Sequence, residues 1–125
     1  MRSEEPTRVR EIMSSPVETI SRDATVSDAA AKMRDDNINA LIVTTSTPSI
    51  ITSTDILDAV ASGEDTSELD ATALTTEPVE TIPPELQIGE AAVMMSNFEI
   101  KHLPVVDGGG YVGMISSTDI AAQVS

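Results

Sequence analysis

Ser116-Ser117-Thr118-Asp119-Ile120 repeats, almost letter for letter, Thr52-Ser53-Thr54-Asp55-Ile56. Upstream of each copy stands a second shared phrase, Pro16-Val17-Glu18-Thr19-Ile20 and Pro78-Val79-Glu80-Thr81-Ile82. The upstream phrases lie 62 positions apart and the downstream ones 64, so the second copy carries two extra residues, assigned to Asp107-Gly108-Gly109-Gly110. A repeat of this length is a supersecondary unit that buries its apolar face against its twin. The expected halves are 1–63, a lead-in helix plus the first repeat, and 68–125, the second repeat, with the acidic stretch Gly63–Ser67 between them. Function is then sought in a cleft between the copies.

Around these phrases the hydrophobic pattern predicts the same elements twice. Val9, Ile12 and Met13 fall at helical spacing before Pro16, and Leu69–Leu74 repeats that lead-in. Val17–Ile20 reads as a strand. Ser27 is the expected N-cap of a helix over Asp28–Asp35 with Ala29, Ala30 and Met33 inward. Ile38–Thr44 has the continuous aliphatic run of a strand covered on both faces, Ile50-Ile51 a second strand, and Thr52 opens a helix through Val60. The second copy gives a strand at Val79–Ile82, a helix at Gly89–Asn97 with Ala92, Val93 and Met95 inward, strands at His102–Val106 and Tyr111–Ile115, and a helix from Ser116. Gly108-Gly109-Gly110 suits a hairpin loop at positive φ; no Lys-Ser/Thr follows, so a phosphate-cradling loop is disfavoured. Met33, Met94, Met95 and Met114 read as core filler.

Composition narrows the function. With 7 basic and 21 acidic residues the net charge is −14, which repels nucleic acid and anionic membranes. Such self-repulsion is screened at molar salt, where the Debye length falls to ~3 Å, so the acidic surface suggests a salt-adapted, halophilic cytoplasm. With no cysteine, disulfides and thiolate chemistry are excluded. No stretch approaches the ~20 apolar residues of a membrane span, so the chain is expected to be cytoplasmic. Asp35-Asp36 and Glu64-Asp65 lack a histidine or third carboxylate to complete a metal shell, and His102, the only histidine, has no nucleophile beside it. No catalytic set and no metal site are expected.

The chemistry-bearing feature is a Ser or Thr three residues before an Asp at a strand-to-helix turn: Thr52 with Asp55, Ser116 with Asp119. One reading is a helix cap, the hydroxyl accepting from the amide three residues on and the carboxylate favouring the helix's positive end. The other is a ligand site, with hydroxyls and amides facing a phosphate and the Asp accepting from a vicinal diol. The readings diverge in a checkable way. Carboxylates folded back onto their own helix ends, with no hollow before them, favour the cap and a duplicated oligomerisation unit.

The paired Pro-Val-x-x-Ile phrases, Ile100-Lys101-His102-Leu103-Pro104-Val105-Val106-Asp107 with its glycine turn, and Gly113-Met114-Ile115-Ser116 with Asp119 resemble tandem CBS domains, the Bateman module, over about Val9–Val124. The resemblance implies an α/β (α+β) fold of two βαββα repeats related by pseudo-two-fold symmetry in one compact module. It implies adenosine-containing ligands (AMP, ADP, ATP, S-adenosylmethionine or NAD) and pairing of modules into a homodimer. By position it implies one cleft from Thr52, Thr54 and Asp55 with Val79, Glu80, Ile100, Lys101 and His102. The other would hold Ser116, Thr118 and Asp119 with Met13, Glu18, Ile38, Asn39 and Ala40. The adenine would lie among Ile38, Ile50, Ile100 and Met114.

Three departures bear on this expectation. Ser49 stands where the second copy has Gly113; Asn39-Ala40 stands for Lys101-His102, removing the cations from the second cleft; Glu18 and Glu80 occupy positions where the resemblance implies apolar residues beside the base. The first cleft is therefore expected to hold the more highly charged phosphate end. The resulting expectation is a regulatory nucleotide sensor with no required cofactor, read by an effector protein the sequence does not identify. The alternative is a scaffold with vestigial clefts.

Overall fold

The computed structural model describes residues 7–15, 17–46, 49–75 and 80–123. Val79, with Pro16, Pro48 and Pro78, lies outside the described residues. The fold is mixed α/β. Two compact units form, one from 18–79 and the other from 1–17 together with 80–125.

In the unit 18–79, β1 (Thr19–Ser21) runs parallel to β2 (Ala40–Thr44), and β2 pairs antiparallel with β3 (Ser49–Thr52). Helix α1 (Val26–Asp36) follows β1, and α2 (Ser53–Ala61) follows β3 directly. The start of α1 corrects the expected cap. Thr25, not Ser27, accepts from the Asp28 amide at 3.1 Å, and Asp28 returns a bond to the Thr25 amide at 2.9 Å, a capping box. Ser27 lies inside the helix and its hydroxyl reaches Thr66. The helix stops at Asn37, whose φ of 56° is a left-handed geometry that asparagine tolerates. Ala29, Met33, Leu41, Val43, Ile51 and Ala71 form the core.

In the other unit, β4 (His102–Asp107) and β5 (Gly110–Ser116) make a hairpin turning through Gly108 and Gly109, both at positive φ as expected. Helix α3 (Ile88–Phe98) precedes the hairpin and α4 (Ser117–Ala121) follows it. Val9, Ile82, Ala91, Met95, Leu103, Val105 and Ile115 form this core. Of the α3 positions expected inward, Met95 is buried; Val93 is 57% exposed, and Ala91 takes the inward place.

Of the strand expected at Val79–Ile82, the described residues keep one parallel bridge, between Ile82 and Val105. The cause is proline. In the first repeat the Ile42 amide donates to the Glu18 carbonyl at 3.1 Å and carries the ladder backwards. Pro104 holds the equivalent place and has no N–H to offer Glu80. On the other side the next rung would need the amide of Pro84, also absent. The single rung left is Ile82 donating to Pro104 at 3.1 Å and accepting from Val106 at 2.9 Å.

The lead-ins are exchanged. Residues of the first repeat's lead-in bond to the second repeat: Val9 donates to the Leu86 carbonyl at 2.8 Å, and Thr7 accepts from Ile88 at 3.0 Å. The second lead-in makes the same pair of bonds to the first repeat, Ala71 to Ala24 at 2.9 Å and Val26 to Leu69 at 2.8 Å. Both lead-ins contain a short 3-10 helix, Val9–Glu11 and Ala71–Leu74, each presenting one fully buried residue, Val9 and Ala71. Sequence repeats 1–63 and 68–125 and compact units therefore differ by these two segments. Arg10 reinforces the first exchange through an exposed ion pair with Glu85 at 2.9 Å, a contribution of well under 1 kcal/mol.

Candidate functional site

Each repeat places its Ser/Thr-x-x-Asp at the junction of the last strand and last helix. In the first, the Thr52 amide donates to Asp55 Oδ2 at 2.8 Å, the Thr52 hydroxyl donates to the same oxygen at 2.9 Å, and the Asp55 amide donates back to Thr52 Oγ1 at 3.3 Å. In the second, the Ser116 amide donates to Asp119 Oδ2 at 2.8 Å and the Asp119 amide to Ser116 Oγ at 3.1 Å. Both turns are thus capping boxes with Asp at the third helical position. One oxygen of each carboxylate is folded back onto its own helix; among the described residues Oδ1 of each takes no hydrogen bond. The cap expected from sequence is real, and it leaves one oxygen per carboxylate uncommitted.

The entry to the preceding strand lies against this turn. Ala40 is the cross-strand partner of Thr52, and the Ser53 amide donates to the Asn39 carbonyl at 2.9 Å. His102 likewise faces Ser116, and the Ser117 amide donates to the Lys101 carbonyl at 2.9 Å. Each unit therefore gathers a strand entry, a hydroxyl and a carboxylate into one cluster: Asn39, Ala40, Thr52 and Asp55 in one, Lys101, His102, Ser116 and Asp119 in the other. Thr54 and Thr118 are exposed on the first turns of α2 and α4. Ile38 and Ile100 are half-buried against their own cores, whereas Ile50 and Met114 are buried. Met13 sits in the unit of the second repeat, its Sδ 2.6 Å from the place a Cβ on Gly113 would occupy. Ser49, the counterpart of Gly113, is fully buried, its hydroxyl 3.2 Å from that of Thr45.

The two glutamates differ. Glu18 is held by Lys32 at 3.2 Å, and Lys32 also bonds Asp36 at 3.1 Å. These partners, Asp36 first and then Glu18, raise the Lys32 pKa and keep its ammonium charged. Glu18 thereby has a cationic partner within its own unit, shared with Asp36. Among the described residues Glu80 has no such partner, because Met94 and Phe98 stand where the first repeat has Lys32 and Asp36.

Two open grooves accompany the clusters. One of about 440 Å³ is lined by Asp55, Asp58, Ala59, Ser62, Glu64, Leu69, Ala73 and Leu74. Asp55 thus has a hollow before it, but three carboxylates make that hollow a poor host for phosphate. The other, about 380 Å³ and mainly aliphatic, lies between α3 and α4, with Lys101 at its side and Ile120 and Met95 in its walls. Among the described residues no cluster of three His, Asp or Glu side chains is placed to hold a metal, and no helix is long and apolar enough to cross a membrane.

A duplicated α/β module with a capped strand-to-helix turn in each copy, and no assembled catalytic group among the described residues, is the class these features define. The CBS domain family matches residues 9–62 and 71–125, and the chain belongs to it. It is 29% identical over 118 residues to the CBS domain-containing protein YhcV of Bacillus subtilis, covering 92% of this chain and 84% of that one. Among solved structures, the hexameric CBS-CP12 protein from bloom-forming cyanobacteria superposes with a TM-score of 0.92 at 29% identity, over 97% of this chain and 74% of that one. The CBS domain pair of protein MJ0100, solved in complex with 5-methylthioadenosine and S-adenosyl-L-methionine, gives 0.85 at 29% identity over 96% and 97%.

Proposed function

We propose that this chain is a non-catalytic regulatory module that senses adenosine-containing molecules. A similar domain pair was solved with two such ligands, and in each repeat here one carboxylate oxygen, Oδ1 of Asp55 and of Asp119, takes no hydrogen bond among the described residues. That pair of uncommitted oxygens carries the reading, because a vicinal diol needs an acceptor that the helix cap has not consumed. Thr52, Thr54 and Asp55 in one repeat, and Ser116, Thr118 and Asp119 in the other, are the proposed phosphate-side hydroxyls and ribose carboxylates. Ile38, Ile50, Ile100 and Met114 are the proposed adenine-side aliphatics. Lys101 and His102 supply the cationic groups for the more highly charged phosphate end, so Lys101→Ala weakens ATP more than AMP. The protein works as a cytoplasmic homodimer under an effector partner, and the acidic surface suits a salt-rich cytoplasm.

Cap and ligand roles separate in one substitution. Glutamate is the usual third residue of a capping box, so Asp55→Glu and Asp119→Glu keep the cap while displacing Oδ1 by a methylene. Calorimetric titration with AMP, ATP, NAD and S-adenosylmethionine is expected to show roughly tenfold or greater weakening, since a hydrogen bond to a charged acceptor contributes about 1.5–3 kcal/mol. The melting temperature of the free protein is expected to stay near wild type. Unchanged affinity in both variants would remove the carboxylates from the site. Asp55→Ala, which removes the carboxylate half of the capping box while the residue-55 amide still donates to Thr52 Oγ1, is expected to cost about 1 kcal/mol of stability with or without ligand, measured by urea unfolding.

A specific observation favours a second reading: both carboxylates do serve as caps, as a scaffold with vestigial clefts would have them. Thermal denaturation decides between the readings. A ligand at a hundredfold excess over its Kd adds ~2.7 kcal/mol, whereas a scaffold shows no shift with any of the four ligands.

A further inference from the structure

The hairpin that carries the second ligand cluster has less support of its own than its counterpart. The β1–β2–β3 sheet has three strands and the β4–β5 sheet two, and a lone two-stranded hairpin is marginal in water. The helix that follows is shorter as well, five residues in α4 against nine in α2, so α4 leans more on the strand before it. Apart from the single rung at Ile82, residues 13–15 supply what is missing. Met114, opposite Pro104 in the hairpin, donates its amide to the Ser14 carbonyl at 2.9 Å and accepts the Ser14 amide at 2.8 Å, so Ser14 stands in for a third strand. Ser15 Oγ donates to the Val112 carbonyl at 2.9 Å, and Met13 packs over Gly113, its Sδ 2.6 Å from where a Cβ would stand. The first repeat uses the equivalent place otherwise. Ser49 fills the position of Gly113 and lies 3.2 Å from the Thr45 hydroxyl, and Thr75, the counterpart of Met13, donates its hydroxyl to the Thr72 carbonyl of its own lead-in at 3.0 Å.

We propose that residues 13–15 are a latch that positions the second-repeat cluster, and that closure of the latch is coupled to a ligand bound there. The proposal rests on the adenosine-sensing reading and names what the ligand holds in place. Met114, fixed by Ser14, is a proposed adenine-side residue. Two residues further along β5, Ser116 donates its amide to Asp119 Oδ2 and accepts the Asp119 amide on its hydroxyl. An open latch frees both ends of this stretch from the positions a ligand needs. The ligand therefore favours the closed latch by its differential affinity for the two states, and the closed latch favours the ligand by the same factor. Ser14 and Gly113 act through Met114 and are positioning residues; neither needs to touch the ligand.

Amide hydrogen exchange of the full chain tests this, with and without saturating amounts of whichever of AMP, ATP, NAD and S-adenosylmethionine is weakened by Asp119→Glu. Without ligand, the Ser14 and Met114 amides are expected to exchange faster than that of Leu103, which is fully buried in the core of the same unit. Ligand is expected to slow the two latch amides by roughly 5–150-fold. In calorimetric titration, Gly113→Ala, which forces the latch open, is expected to weaken the same ligand by up to that factor. Arg10→Ala, which removes only the exposed ion pair with Glu85 from the same lead-in, is expected to bind as wild type does. Latch amides as slow as Leu103 without ligand, or unchanged by ligand while Leu103 slows, overturn the latch and leave the sensor standing. A folded Gly113→Ala that binds as tightly as wild type, or an equal weakening in Arg10→Ala, does the same. Should Gly113→Ala fail to fold, exchange in the wild type decides alone. If Asp119→Glu weakens none of the four ligands, this proposal falls together with the reading it rests on.

Discussion

Val9→Asp is expected to unfold the unit built on the second repeat while the other unit stays folded. Val9 is fully buried, packs in the core with Ile82, Ala91, Met95, Leu103, Val105 and Ile115, and lies more than 70 residues from any of them in sequence. Removing its burial costs about 1.5–3 kcal/mol, and placing an unpaired carboxylate there adds several more, a large fraction of the ~5–15 kcal/mol that stabilises a small domain. Tyr111, the only tyrosine in a chain without tryptophan, lies in the affected unit and reports its unfolding by fluorescence. Hydrogen exchange is expected to show lost protection at Leu103, Val105 and Ile115, with Leu41, Val43 and Ile51 still protected. Equal loss in both halves would show that the units do not unfold separately. Val9→Ala is expected to cost about 1–3 kcal/mol on the same assay.

Gly113→Ala should cost about 2–4 kcal/mol, an unusual penalty for adding one methyl group. A Cβ there would lie 2.6 Å from Met13 Sδ and 2.8 Å from the Ser14 carbonyl oxygen. The thioether can swing away. The carbonyl cannot, because it accepts from the Met114 amide at 2.9 Å while Ser14 donates to the Met114 carbonyl at 2.8 Å. Overpacking of this kind costs ~1–3 kcal/mol, and each hydrogen bond disturbed adds ~0.5–1.5 kcal/mol. Urea unfolding measures the total, and exchange of the Ser14 and Met114 amides locates it. Gly89→Ala is the control: nothing lies within 4 Å of where its Cβ would stand and it sits within α3, so it is expected to be neutral or to gain up to about 1 kcal/mol. A Gly113→Ala variant as stable as wild type would mean that residues 13–14 do not hold this close approach in solution.

Much of the fold was legible. The period of the repeats, the aliphatic strands 38–44 and 102–106, the glycine hairpin and the four longer helices all follow from residues close in sequence. The misses share a cause in partners that local pattern cannot name. Thr25 outcompetes Ser27 as a cap because Asp28 can return its bond three residues back, and Ser27 is engaged by Thr66, 39 residues on. Val93 looks inward by composition, yet the helix rotation set by Ala91 and Met95 turns it to solvent. The strand at Val79–Ile82 reads as well as its twin until Pro104, 22 residues beyond Ile82, is seen opposite it. Of the candidate site, the Thr52–Asp55 and Ser116–Asp119 pairs were visible as spacing; that one oxygen caps and the other remains free required atomic positions.

The sequence by itself determined that the chain is written twice and that each copy ends in a capped helix, because those features depend on residue spacing along one strand or turn. Tertiary structure alone decided which lead-in completes which core. Val9 and Ala71 stand at equivalent places in two short apolar segments, and nothing in their local pattern names the core that each enters. The choice needs a partner from the other repeat, too distant in sequence for local pattern to name, and the exchanged bonds to Leu86 and Ala24 record it.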